Sequence, residues 1–263
     1  MYLRPDHAEH DVPSLHAFIR ANPLGIFTTA IESPSHAFLQ SSHIPWVLDA
    51  ADDGSTGKLG KLRGHIARAN PQAKAIVETL TSGGGRAPGG AGNTLNKDVL
   101  LLFNAPTHHY VTPKFYRETK PATGKVVPTW DYAAVQVYGR ATIYYDPKSE
   151  ETSAFLSRVL DDLTKYAEED LMGHEKPWRV SDAPSSYTDL LKKAILGIEI
   201  EITNIGGRFK MSQEMRGGDR LGVIEGFESL GTLEGQKMAQ MVKARAELAD
   251  AKKTGAAPPA DGA

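Results

Sequence analysis

The chain has 263 residues, 40% of them apolar, a formal charge of −2 and no cysteine. That length and apolar content suffice for one large or two small domains with a real core. Lack of cysteine excludes disulfides, thiolate nucleophiles and thiolate-held zinc or iron–sulfur centres. The near-neutral charge supplies no strong basic field for a nucleic-acid backbone, so direct DNA binding is not expected. No apolar run approaches the ~20 residues that cross a bilayer. No apolar stretch follows Met1-Tyr2-Leu3-Arg4-Pro5 as a secretory signal would require. These observations point to a cytoplasmic protein without membrane contact.

The predicted elements begin with a helix opened by Asp11-Val12-Pro13, with Leu15, Phe18 and Ile19 on one face, ended by Asn22-Pro23. Leu24 to Ile31 reads as a strand, and Ser33-Pro34-Ser35 as a turn. Ala37 to Leu48 reads as a second strand, bent or at an edge where Pro45 falls. A polar loop over 49–57 leads to a third strand, Lys58 to Ile66. The stretch Arg63-Gly64-His65-Ile66-Ala67-Arg68-Ala69-Asn70-Pro71-Gln72 is then a strand end, a turn and a helix start. Asn70 suits the N-cap and Pro71 the first helical position. Apolar residues follow at Ala73, Ile76, Val77 and Leu80. A helix start carries free N–H groups and partial positive charge, and Arg68 and His65 lie just before it, so the pattern reads as a phosphate seat. An ordinary capped helix with a solvated Arg68 is the competing reading.

Residues 81–98 are rich in glycine but lack the Gly-Lys-Ser/Thr ending of a nucleotide P-loop, and read as a flexible insertion. Val99 to Phe103 is predicted as a fully buried strand, continued by His108 to Thr112, and Ala134 to Tyr145 as an alternating one. Ser153 to Met172 is an amphipathic helix with Phe155, Leu156, Val159, Leu160 and Leu163 in its stripe. Pro184 opens a helix expected to turn Tyr187, Leu190, Leu191 and Ala194 inward. Ile198 to Thr203 is a strand, Gly207 to Gln213 a basic turn region, and Leu233 to Leu248 a last helix. The domain reading is 1–227 as one domain, 228–254 as a C-terminal helix and 255–263 as a disordered tail. Roughly six or more strands without regular crossover helices favour an α+β fold, a mainly antiparallel small barrel with helices around it.

No metal-binding cluster, Gly-x-Ser-x-Gly elbow or GxGxxG turn is present. Trp46, Trp130 and Tyr132 could flank an aromatic ligand, and the hydroxyls of Thr28, Thr29, Ser41 and Ser42 could donate to one; each alone fits an ordinary core or strand position as well.

Several stretches taken together resemble one family. They are Tyr2-Leu3-Arg4-Pro5, Phe18 to Gly25, Ser42-His43-Ile44-Pro45, Gly64 to Gln72, Val127-Pro128-Thr129-Trp130, Tyr138-Gly139, Asp182-Ala183-Pro184, Lys210-Met211-Ser212-Gln213 and Asp219 to Val223. In this order they are similar to the PaiB-type FMN-binding negative transcriptional regulators. The resemblance implies a split β-barrel of the pyridoxamine-phosphate-oxidase kind, homodimeric, with FMN at the subunit interface; haem-binding relatives make haem the alternative cofactor. It implies His65, Arg68 and Asn70 at the phosphate, Thr28, Thr29, Ser42 and His43 along the ribityl or ring side, Trp130 and Tyr132 over the flavin of the same or the partner subunit, and Lys210 and Gln213 as secondary candidates. The chain departs from the family pattern at Asp131 and Glu214, where asparagine is usual, and at Gln136, where histidine is frequent. The implied activity is oxidoreduction of a small molecule with NAD(P)H as candidate electron donor, the alternative being a regulator without turnover. No dedicated catalytic group is named by the sequence; His43, His65 and Tyr132 are candidates for acid–base work.

Overall fold

A computed structural model describes residues 1–50, 59–83 and 92–254. Most of the predicted loop at 49–57, the glycine-rich core of 81–98 and the tail from 255 lie outside the described residues. The chain divides into two compact units: residues 11–103 with 136–205, and residues 1–10 with 104–135 and those from 206 onward. Two long strands, β8 (Thr129–Tyr144) and β9 (Ile195–Lys210), contribute to both.

In the first of these units the strands are β2 (Leu24–Ala30), β3 (Leu39–Pro45), β4 (Val47–Asp49), β5 (Lys61–Ala67) and β6 (Val99–Asn104), with parts of β8 and β9. Their order is β3-β2-β6-β8-β9-β5-β4. The pairings β2–β3 and β5–β9, with Thr28 opposite Ser41 and His65 opposite Gly197, are antiparallel. The two ends of that path, β3 and β4, are separated in sequence by Trp46 alone. A sheet whose opposite edges are one residue apart must curl until they meet, which makes this unit the expected split barrel. The predicted single bent strand over 37–48 is thus two strands, divided just after Pro45.

Trp46 is 2% exposed and packs edge-on against Phe27 at 5.8 Å. The space it occupies is left by two glycines. A Cβ on Gly64 would stand 2.9 Å from the Trp46 ring, and one on Gly25 would stand 2.7 Å from Phe103 and 3.0 Å from Trp46. Helix α1 (Val12–Ala21), capped by Asp11, buries Leu15 and Ile19. Helix α2 (Pro71–Thr81) buries Gln72, Ala73, Ala75, Ile76 and Leu80. The Gln72 carboxamide nitrogen reaches Phe27 O, Thr29 Oγ1 and Gln40 O at 3.0–3.1 Å, tying α2 to both β2 and β3.

The other unit pairs β1 (Ala8–Glu9) with Gly207 and Arg208 of β9, and β7 (His109–Val111) with the start of β8. It also holds a short helix α3 (Thr119–Thr123) and two longer ones, α6 (Gly217–Glu228) and α7 (Leu233–Thr254). Helix α6 has no counterpart among the predicted elements, and it carries four glycines. Their reason is contact: a Cβ on Gly222 would stand 2.1 Å from Phe115 O, and one on Gly226 2.3 Å from the Phe115 ring.

Four further expectations are corrected. Strand β6 alternates buried and half-buried residues rather than being buried throughout. Gly207 to Lys210 continue β9 because β1 supplies them a partner, and the turn begins only beyond them. Helix α4 (Glu150–Lys165) buries the predicted Phe155, Leu156 and Val159 and passes into a wider turn over 166–171. Helix α5 (Ser185–Lys193) buries no residue; Tyr187, Leu190 and Leu191 are 56%, 64% and 48% exposed. Helical apolar spacing marks a face without saying that the same chain buries it.

Substituting Gly64→Ala forces a methyl into the Trp46 and Ile44 side chains, which lie 2.9 and 3.1 Å from its Cβ position. Overpacking of this kind should lower unfolding free energy by about 1–3 kcal/mol, read as a lower urea midpoint at unchanged slope.

Candidate functional site

The strand–turn–helix over 63–72 forms as predicted. Asn70 adopts extended backbone (φ −62°, ψ 131°), and its side-chain oxygen accepts from Gln72 N at 2.8 Å. Its amide nitrogen donates to Ser42 Oγ at 3.0 Å, which fixes the turn to β3. Pro71 has no N–H, so the helix start satisfies part of its own donor set from within. Arg68 donates through Nε to Lys193 O at 3.0 Å and through Nη2 to Tyr145 O. Its Nη1 has no hydrogen-bond partner among the described residues. His65 is half-buried on β5, its Nδ1 buried without a partner. Burial lowers its pKa, so the ring is neutral near pH 7 and can give or take one hydrogen bond rather than supply charge.

Strand geometry sorts the remaining candidates, because neighbours along a strand face opposite ways. Ser42 lies with Asn70, and Thr29, which is buried, joins Gln72. Thr28 points to the other face, where its hydroxyl meets Ser41 Oγ at 2.8 Å, and the exposed His43 stands opposite Ile26 on that side. The structure therefore brings Ser42, Thr29 and Asn70 into one polar cluster and separates them from Thr28 and His43.

Trp130, Tyr132 and Lys210 belong to the other unit. Trp130 is 48% exposed and donates through Nε1 to His108 Nδ1 at 3.2 Å. The Tyr132 ring lies 5.8 Å from the Arg208 guanidinium. Lys210 Nζ donates to Thr129 Oγ1 at 2.7 Å and Trp130 O at 3.0 Å, and pairs with Asp131 at 3.5 Å. Asp131 is fully buried and accepts from Ser212 Oγ at 2.8 Å. Ser212 holds φ +55°, a left-handed conformation uncommon for serine, and Gln213 braces it by accepting from Met211 N at 2.7 Å and donating to Asp6 O at 2.9 Å. Lys210 to Gln213 is thus a constrained knot rather than a loose turn.

A family model described as "Putative FMN-binding domain" matches residues 1–204. The chain belongs to this FMN-binding family. FMN is the cofactor that membership assigns to it, and the PaiB-type resemblance read from the motifs is borne out. The chain is similar to an uncharacterized protein of Aspergillus fumigatus, 56% identical over 262 residues, covering 96% of this chain and all of that one. It is also similar to "Protease synthase and sporulation protein PAI 2" of Bacillus subtilis, 24% identical over 226 residues, covering 86% and 88% of the two chains. Among solved structures it is similar to the flavocytochrome Anf3 of Azotobacter vinelandii, with TM-score 0.41 and 13% identity over 77% of this chain and 69% of that one.

Sequence reasoning about this FMN-binding chain missed Arg208, His7 and the bracing role of Ser212. The only signal for them was the resemblance of the segments around Tyr2 and Lys210, which carries no role for those side chains.

Asp131 yields a pH prediction. Burial raises its pKa to about 6 from 3.8, opposed by Ser212 and Lys210 and assisted by Glu214. A carboxyl that holds its proton more tightly when folded adds stability fully present below about pH 4 and lost as pH climbs through about 6. At about 1.4 kcal/mol per pKa unit the loss is about 2–3 kcal/mol. Asp131→Asn should remove this dependence. Denaturant unfolding at a series of pH values should show the variant gaining on the parent by that amount between about pH 4 and 7.

Proposed function

We propose that the protein is an FMN-dependent oxidoreductase acting on a small molecule, working as a cytoplasmic homodimer with NAD(P)H as electron donor. The observation that carries this reading is the polar turn at 68–70, which lies inside the family match and has an arginine with one fork end unused. The residues fit the phosphate end of FMN. Arg68 Nη1 can give a charge-assisted hydrogen bond, and His65 offers a neutral donor from a site with an unpartnered buried nitrogen. The Asn70–Ser42 bond holds the turn in place, and Gln72 holds the helix behind it.

FMN, when bound, supplies hydride and single-electron chemistry that no side chain here can perform. The chain's own part is to hold the phosphate, fix the turn and keep His65 uncharged. Support for a dimer comes from the uncovered apolar face of α5 and from Leu24 and Leu39 at 58% and 65% exposure on the β2–β3 hairpin. No described helix is long and apolar enough to cross a membrane. The family label of the PaiB-type resemblance favours a second reading, regulation without turnover.

The purified protein should be yellow, bleach with dithionite, and release FMN on denaturation. Arg68→Met should weaken FMN binding tenfold to about a hundredfold, the value of one hydrogen bond to a charged group, in a fluorescence titration. A colourless protein that ignores added FMN overturns the proposal. A flavin that NAD(P)H cannot reduce would favour the regulatory reading.

A further inference from the structure

The unit holding Lys210 contains a cavity of about 520 Å3 that no role given so far uses. Its walls include Tyr2, Tyr116, Val127 and Met215. Five cationic side chains line it as well: Arg4, Lys125, Arg208, Lys210 and Arg216.

Charge pairing decides what such a cavity can accept. Arg4 is matched by Asp6 at 2.9 Å, Lys210 by Asp131 at 3.5 Å, and Arg216 by Glu118 at 3.9 Å. Of the lining acids, Asp219 accepts from Glu118 N and Thr119 N at 2.8 and 3.1 Å. Glu214 stands 3.0 Å from the ring of His7, itself 2% exposed. Among the described residues neither Arg208 nor Lys125 has a carboxylate partner. Arg208 gives one hydrogen bond, to Tyr2 O at 2.8 Å, and its Nε is buried with no partner. Its guanidinium lies 5.6 Å from the Tyr2 ring and 5.8 Å from the Tyr132 ring, a placement that holds the plane of the fork between aromatic faces. An arginine so held, with a buried N–H unmet, is preorganised for a planar oxyanion. The apolar and aromatic walls want a flat, uncharged body behind that anion, and the volume suits a ligand of small-molecule size.

We propose that this cavity is a binding site for a small organic acid, its carboxylate on Arg208 and Lys125 and its aromatic or apolar body against Tyr2, Tyr116 and Val127. Its lining residues and the turn at 68–70 belong to different units, so the proposal stands whether or not that turn seats the FMN phosphate.

The test uses the full-length protein as purified, with its flavin, and two probes in calorimetry: 2-naphthoate and the uncharged 2-naphthamide. The acid should bind one per chain and the amide at least tenfold more weakly. Arg208→Gln should weaken the acid tenfold or more while FMN content stays unchanged. Val127→Glu, at a position 73% exposed and so tolerant of change, should weaken it comparably by placing a negative charge on the wall. Arg179→Gln, in the other unit, should leave it unaltered. The proposal fails if the acid does not bind, if acid and amide bind alike, or if both cavity variants bind the acid as the parent does. It also fails if Arg208→Gln expels FMN, since the cavity would then be the flavin's own.

Discussion

The barrel depends on a single covalent constraint, the one-residue link at Trp46. Because β3 and β4 are opposite ends of the strand path, that link leaves the sheet no flat alternative. The indole then fills the space that curling creates, against Phe27 and over two positions where only glycine leaves room. Backbone connectivity sets the closure, and the missing side chains of Gly25 and Gly64 make it sterically allowed.

The two units handle polar groups differently. Around α2 the hydrogen bonds are neutral: Asn70 bonds Ser42 and Gln72, and Gln72 bonds Thr29, while Gln72 Oε1 is buried without a partner among the described residues. Around Lys210 a fully buried carboxylate sits beside an ammonium and a left-handed serine. Buried ionic clusters of this kind contribute little net stability, because desolvation offsets most of their attraction. Their position in a constrained knot beside a cavity with unmatched cations accords better with recognition than with holding the fold.

Local pattern made much of this legible. The Asn70-Pro71 helix start, the β2–β3 pair and the α4 stripe could be read from capping chemistry and periodicity, because each is decided within a few residues. Long-range partners were not legible. Nothing near Gly207 announces that residues 8 and 9 will extend β9, and nothing near Gly222 or Gly226 shows that Phe115 will occupy their missing side chains. The candidate site was legible as residue types but not as a constellation. Thr28 and Thr29 are adjacent in sequence, yet strand alternation sends them to opposite faces.

The Gln72 carboxamide carries a consequence for dynamics. One nitrogen serves acceptors on β2 and β3 together, so α2 cannot lift away without stripping carbonyls on two strands of a donor. Helix and hairpin therefore open as one cooperative foldon, and their amide protons share a common exchange regime. The turn at 68–70, lying at the head of that helix, shares in the same opening through the bond from Asn70 to Ser42.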